Sequence, residues 1–322
     1  MNPVQTENLE RLRPPPDERP SYRSTLRMDV RHLLERELVT VVDRSREADP
    51  GANGLFVGKR HLAAVHGCEV RFLAEEERPF EWSVPLARGS VSHKAIELSM
   101  HLHGQRDPAE LVDDAIARII DRENRLGDWL AGCDEATVAE LRGECIALTA
   151  GFLDTFPPLR RGWRPATEVP KRMEMCNDGL TLAGRFDLTL GGPNDTTAGR
   201  VIIDIKTGGF APEHREDLRF YALLETLQTG VPPLLVATHY VESGRLQVEM
   251  VDEDLVWAAA HRTIDGVERL AALRTAPTVA ITKPGPACRW CPVSDTCEDG
   301  QRWMEQDQDW WRHFWWRRDC KR

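Results

Sequence analysis

The chain has 322 residues, 29% of them charged, with a formal net charge of −10. That length allows one large domain or two small ones with ample core, and the acidic balance argues against non-specific basic surface while leaving room for a locally positive groove. There is no N-terminal apolar signal and no apolar run long enough to span a bilayer, so a soluble, cytoplasmic protein without a membrane partner is expected. Eight cysteines in such a chain point to metal or cluster ligation before disulfides.

Residues 1–22 are polar, hold Pro14-Pro15-Pro16 and Pro20, and read as a flexible leader. In residues 23–54, Leu26, Val30, Leu34, Leu38 and Val41 recur at helical spacing, which predicts an amphipathic helix packed on the body. Leu55-Phe56-Val57-Gly58-Lys59 leads into a short helix and then Cys68, with Phe72 beyond it. In Arg88–Glu97 the i, i+4 spacing puts His93 and Glu97 on one helix face, and a neutral imidazole is a competent metal ligand. Residues of about 108–156 read as an insert of two helices, starting at Pro108 and Asp134, with Cys133 and Cys145 as small core residues.

Trp163–Met175 is a candidate strand with Glu168 and Glu174 at even spacing, where a glutamate could border a metal site. Cys176 closes it, before the Asn177-Asp178-Gly179 turn. The centre of the chain is Thr181–Gly208, two apolar runs joined by a Gly/Pro/Asn/Asp-rich loop, the pattern of a β-hairpin. The first run carries Asp187, and the second, Val201-Ile202-Ile203-Asp204-Ile205-Lys206, points Asp204 and Lys206 to one face by strand alternation. Two acids and a lysine on an apolar strand need something to offset desolvation and repulsion, and a divalent cation does so. Such a trio suits metal-assisted phosphodiester hydrolysis, with the lysine stabilising the attacking hydroxide or the developing charge. The plain alternative is a surface hairpin with a salt bridge.

An amphipathic helix over Glu213–Glu225, strands at about 234–241 and 246–251, and a helix from about Glu253 to Arg274 follow. This order predicts an α/β fold, a mixed sheet covered by helices. Cys288, Cys291 and Cys297 then crowd onto a Pro/Gly-rich loop at 285–298; thiolates so placed want a soft metal, either a cluster or zinc. In the C-terminal helix or tail, residues 301–322, Arg312, Trp315 and Arg317 interleave charge with aromatic surface, a pattern for single-stranded nucleic acid or for packing back on the body. Cys320 reads as a free thiol, and no Walker-type phosphate loop occurs in the sequence.

Gly184-Arg185-Phe186-Asp187 and Ile203-Asp204-Ile205-Lys206-Thr207-Gly208 resemble the GxxD…(D/E)xKTG core of PD-(D/E)xK nucleases, in particular the RecB-type branch. The resemblance runs over roughly 55–300 and implies a restriction-endonuclease-like core and metal-dependent cleavage of DNA. Arg88–Glu97 is similar to the GxxxHxxxE motif, which implies His93 as a ligand of Mg²⁺ or Mn²⁺ beside Asp187 and Asp204, with Lys206 in the transition-state role. Tyr221 matches the tyrosine of a QxxxY motif and would contact the nucleic-acid backbone. Asp217 stands at the glutamine, which leaves the polar role to a water-assisted Asp217 or to Arg219. Cys68 with Cys288, Cys291 and Cys297 matches the ligand order of AddB-like and CRISPR-associated exonucleases, where a [4Fe–4S] cluster staples the ends of the domain. The chain would then be a stand-alone nuclease, or a subunit borrowing a helicase motor from another chain. The other reading is a cluster-bearing DNA-binding subunit that cuts poorly.

Overall fold

The computed structural model describes residues 1–15, 18–48, 54–101, 107–122 and 124–307. Arg312, Trp315, Arg317 and Cys320 lie outside the described residues.

Six strands form one mixed sheet: β1 (Leu55–Val57), β2 (Ala166–Met175), β3 (Leu180–Gly191), β4 (Arg200–Lys206), β5 (Leu235–Tyr240) and β6 (Arg245–Met250). The long strand β3 organises it. One edge of β3 is taken over almost its whole length by β2, antiparallel, from Ala166↔Thr189 to Met175↔Leu180. The other edge is shared by two strands. β4 pairs antiparallel with residues 188–191, and β1 pairs parallel with residues 180–182. Between them, residues 183–187 of β3 carry no partner strand on that edge. Because β1 runs with β3 and β4 runs against it, the C-terminal ends of β1 and β4 point at each other across this gap. Beyond β4 the sheet continues with parallel β5 and antiparallel β6.

Helices cover both faces, as the alternation of β4 requires. Ile202 faces the core built by α2 (Leu26–Ala48), α9 (Glu213–Thr229) and α10 (Glu253–Thr275). Val201, Ile203 and Ile205 face the opposite core, where α8 (Glu135–Thr155) packs. In β3, Leu180, Leu182 and Phe186 join the first core while Leu188 and Leu190 join the second. All five positions are even, so β3 changes face around Asp187.

The stretch expected as a flexible leader instead contains α1 (Pro3–Leu12), closed by a capping box at Asn2. Its amide side chains serve the end of α8. Asn2, Gln5 and Asn8 donate to the carbonyls of Asp154, Leu153 and Thr155 at 2.7, 2.8 and 2.9 Å. The polar composition of the segment thus reflects distant partners rather than looseness.

The insert holds three helices rather than two. α6 (Pro108–Ile120) and α8 start where expected, capped by Asp107 and Asp134, and α7 (Arg125–Gly132), capped by Asn124, lies between them. They pack on α5 (Val84–His101) around Ala87, Val91, Leu111, Leu141 and Cys145. Cys145 is core as expected, whereas Cys133 caps the end of α7 and is half-buried. The insert therefore buttresses the helix that carries His93.

Candidate active site

The acids and lysine singled out in the sequence gather at the gap in the sheet. At the end of β4 the ladder with β3 stops after Leu188↔Ile203, and the Asp187 carboxylate takes over the next position. Its Oδ2 accepts the main-chain N–H of Ile205 at 2.7 Å. A side chain thus satisfies the orphan donor where two strands part. From α5, His93 brings Nδ1 to 3.8 Å from the same oxygen.

Asp204 lies on the opposite lip, its side chain 1% exposed. Two ammonium groups meet it: Lys59 Nζ at 2.8 Å from Oδ1, and Lys206 Nζ at 2.9 Å from Oδ2, the latter without hydrogen-bond alignment. Lys206 also lies 3.7 Å from Asp217 Oδ2, so the aspartate at the expected glutamine position faces the site lysine. Lys59, His93, Asp187, Asp204, Lys206, the Thr207–Gly209 loop and His214 line an open cleft of about 250 Å³.

Electrostatics differentiate the two acids. Burial raises the Asp187 carboxyl above the usual range, and the charge of Asp204 adds to it. Burial also opposes ionisation of Asp204, but Lys59 and Lys206 outweigh it and hold that group low. Burial likewise works against the charge on Lys59, and Asp204 more than reverses it, so the ammonium is firmly held.

Lys59 carried no sequence signal. It is the first residue of α3 (Lys59–His66), separated from β1 by Gly58 alone, and 145 positions separate it from the carboxylate it meets. Only the parallel pairing of β1 with β3 brings it there. Glu168, read from sequence only as a possible border of the site, is closer than that. His93, Glu168 and Asp187 form a group whose ligand atoms lie within 4.8 Å of one another. Glu168 sits opposite Asp187 between the paired Thr167↔Leu188 and Val169↔Phe186, with φ at +51°.

Two expected contacts are placed elsewhere. Tyr221 is 2% exposed, beneath the cleft, its ring packed on Phe186 and roofed by Lys59 Nζ at 4.8 Å from the centroid. Burial pushes its hydroxyl up to about 12 although Lys59 pulls the other way. Gly184 lets the ring in beneath the sheet, under the Lys59 ammonium. Arg219 is bound to Glu249 at 2.7 Å and Glu216 at 3.1 Å and does not line the cleft.

A family model described as the PD-(D/E)XK nuclease superfamily matches residues 60–298. The chain belongs to the PD-(D/E)XK nuclease superfamily. A solved structure, the crystal structure of SSO0001, is similar at 14% identity and a TM-score of 0.35, over 81% of this chain and 95% of that one. Among the curated proteins none matches.

A second constellation of this superfamily member lies away from the cleft. Cys68, the N-cap of α4 (Glu69–Glu76), lines one pocket together with Cys288, Cys291 and Cys297. The segments that carry these cysteines are tied together beside it. Arg269 pairs with Glu69 Oε1 at 2.6 Å, the Ile281 N–H donates to Glu69 Oε2 at 2.8 Å, and Lys283 donates to the His66 carbonyl at 2.9 Å. The bond from Arg269 lowers the Glu69 carboxyl despite its burial. Main-chain N–H groups of Gly285 and Gly300 donate to the sulfurs of Cys288 and Cys297 at 3.3 and 3.4 Å. No helix among the described residues is long and apolar enough to cross a membrane.

Proposed function

We propose that this protein is a metal-dependent nuclease that hydrolyses phosphodiester bonds in DNA. The observation that carries the reading is the pair of half-buried Asp187 and buried Asp204 at the break in the sheet, with His93 and Lys206 around one open cleft. The donor set suits a hard divalent ion: an imidazole and two carboxylates converge within 4.8 Å at His93, Glu168 and Asp187, and Asp204 closes the other side. Bound there, Mg²⁺ or Mn²⁺ would polarise the phosphoryl oxygen and lower the pKa of water. The residues supply the rest. Lys206 offers a fixed positive charge to the oxygens that gain charge at the phosphorus, and the partly desolvated cleft strengthens it. The resemblance adds the finer points: DNA ends or single strands as substrate, exonucleolytic action, a place in repair, recombination or defence, and a motor on another chain.

We further assign a structural [4Fe–4S] cluster to Cys68, Cys288, Cys291 and Cys297. Soft thiolates from both ends of the domain line one pocket, and two of them accept main-chain N–H bonds that stabilise cluster-bound sulfur. Zinc accepts the same thiolates, and the far-upstream partner Cys68 is what favours the cluster here.

The test is cleavage of end-labelled single- and double-stranded DNA with Mn²⁺ or Mg²⁺, using anaerobically purified protein. Lys206→Ala of matched iron content is the control, with an expected rate loss of about 10²–10³-fold. If both proteins bind DNA and neither cuts it, a cluster-bearing binding subunit replaces the enzyme. Iron and acid-labile sulfide in equal amounts identify the cluster, and zinc without iron rules it out.

A further inference from the structure

Lys59 and Asp204 form a pair that metal chemistry has to break. The Asp204 side chain is 1% exposed, and each of its oxygens faces an ammonium group, Lys59 at 2.8 Å and Lys206 at 2.9 Å. A buried carboxylate without a counter-charge is strongly unfavourable, so the lysines complete the site in the absence of metal. A divalent ion at Asp204 meets the same oxygens and the repulsion of both ammoniums. The lysines are not equivalent in this. Lys206 shares β4 with Asp204 and has Asp217 as a second anion at 3.7 Å. Lys59 enters from the far side of the gap, at the start of α3, and its ammonium rests on the Tyr221 ring at 4.8 Å. Its side chain is 29% exposed and lines the cleft with His93 and Asp187, where a phosphate would lie. A lysine is a compact point charge on a flexible stem and can exchange one anion for another; the planar fork of arginine holds its partner more rigidly.

We propose that Lys59 is the resident counter-ion of Asp204, exchanged between this carboxylate and a substrate phosphate, so that divalent cation and nucleic acid each promote the binding of the other. The inference rests on the metal-dependent nuclease reading and names how that site is loaded. Phosphate drawing Lys59 away frees Asp204 for the cation, and a cation on Asp204 frees Lys59 for phosphate. The coupling is reciprocal by thermodynamic linkage. Lys59 thus binds in turn the Asp204 carboxylate and the substrate phosphate.

The experiment is calorimetric titration of the full-length, cluster-loaded protein with Mn²⁺, with and without a phosphorothioate oligonucleotide that resists cleavage. Wild type is compared with Lys59→Met, which keeps the stem over Tyr221, and with Lys59→Arg. Without DNA, Lys59→Met should bind Mn²⁺ about tenfold tighter than wild type, and DNA should tighten its Mn²⁺ binding less. Lys59→Arg should stay as weak as wild type. Mn²⁺ affinity in a folded Lys59→Met equal to or below wild type overturns the inference. If the variant does not fold, the wild type decides alone: DNA that leaves its Mn²⁺ affinity unchanged overturns the inference. A wild type that binds no Mn²⁺ under either condition defeats instead the metallonuclease reading on which it rests.

Discussion

Gly184 lies so close to Tyr221 that a β-carbon on the glycine would sit 2.7 Å from the tyrosine ring. The glycine of the GxxD motif is therefore a packing requirement. Its missing side chain admits the ring that carries Lys59. Gly184→Ala should cost about 1–3 kcal/mol by overpacking, measured by urea denaturation. An unchanged midpoint would mean that the ring moves aside freely.

Glu168 holds a left-handed backbone, φ +51°, near the start of β2, where an L-residue is strained. The strain aims its carboxylate at His93 and Asp187. Replacing it by glycine should therefore act in opposite directions on two readouts. Stability should rise by up to about 1 kcal/mol as the strain is relieved, while Mn²⁺ affinity falls roughly tenfold with the lost carboxylate. Equal Mn²⁺ isotherms for wild type and variant would remove Glu168 from the metal site.

Away from the cleft, Glu225 is fully buried between Lys171, at 2.7 Å, and Arg200, at 2.6 Å. These ion pairs join α9 to β2 and β4, the strands on either side of β3. Glu225→Gln leaves two cations with no anion and should cost about 3–5 kcal/mol. Denaturant midpoints check this, and a loss below about 1 kcal/mol would mean that water reaches the cations.

His239 is enclosed edge-on by the rings of Phe152 and Phe156, with Nε2 3.2 Å from Thr155 Oγ1. Burial pushes its pKa down from 6.5 to about 4. In that window the unfolded chain takes up a proton that the folded one refuses, so stability rises with pH. The contribution is complete above 6.5 and is lost as the pH falls toward about 4, amounting to about 3 kcal/mol. Urea midpoints across this window should slope in the wild type and flatten in His239→Phe. Parallel slopes would assign the acid sensitivity to other groups.

What the sequence by itself determined is what spacing along the chain controls. Strand alternation sets Asp204 and Lys206 on one face, and an apolar repeat of 3.6 marks α2 and α9, because both follow from the geometry of a single element. The hairpin of β3 and β4 is local in the same sense, and Asp187 comes with it. The resemblance to the nuclease core rested on these same residues, and the family match agrees. Tertiary structure decided what crosses elements. Lys59 meets Asp204 over 145 positions because β1 and β4 share one edge of β3, a pairing that no local pattern encodes. Glu168 turns inward through a backbone conformation its side chain disfavours. Tyr221, read as a contact for substrate, is buried because Gly184 leaves room beneath the sheet. The N-terminal amides are polar because they complete the end of α8, not because the segment is loose. Propensity and periodicity describe one element at a time, whereas sheet order and side-chain burial are set by the free energy of the whole packed core.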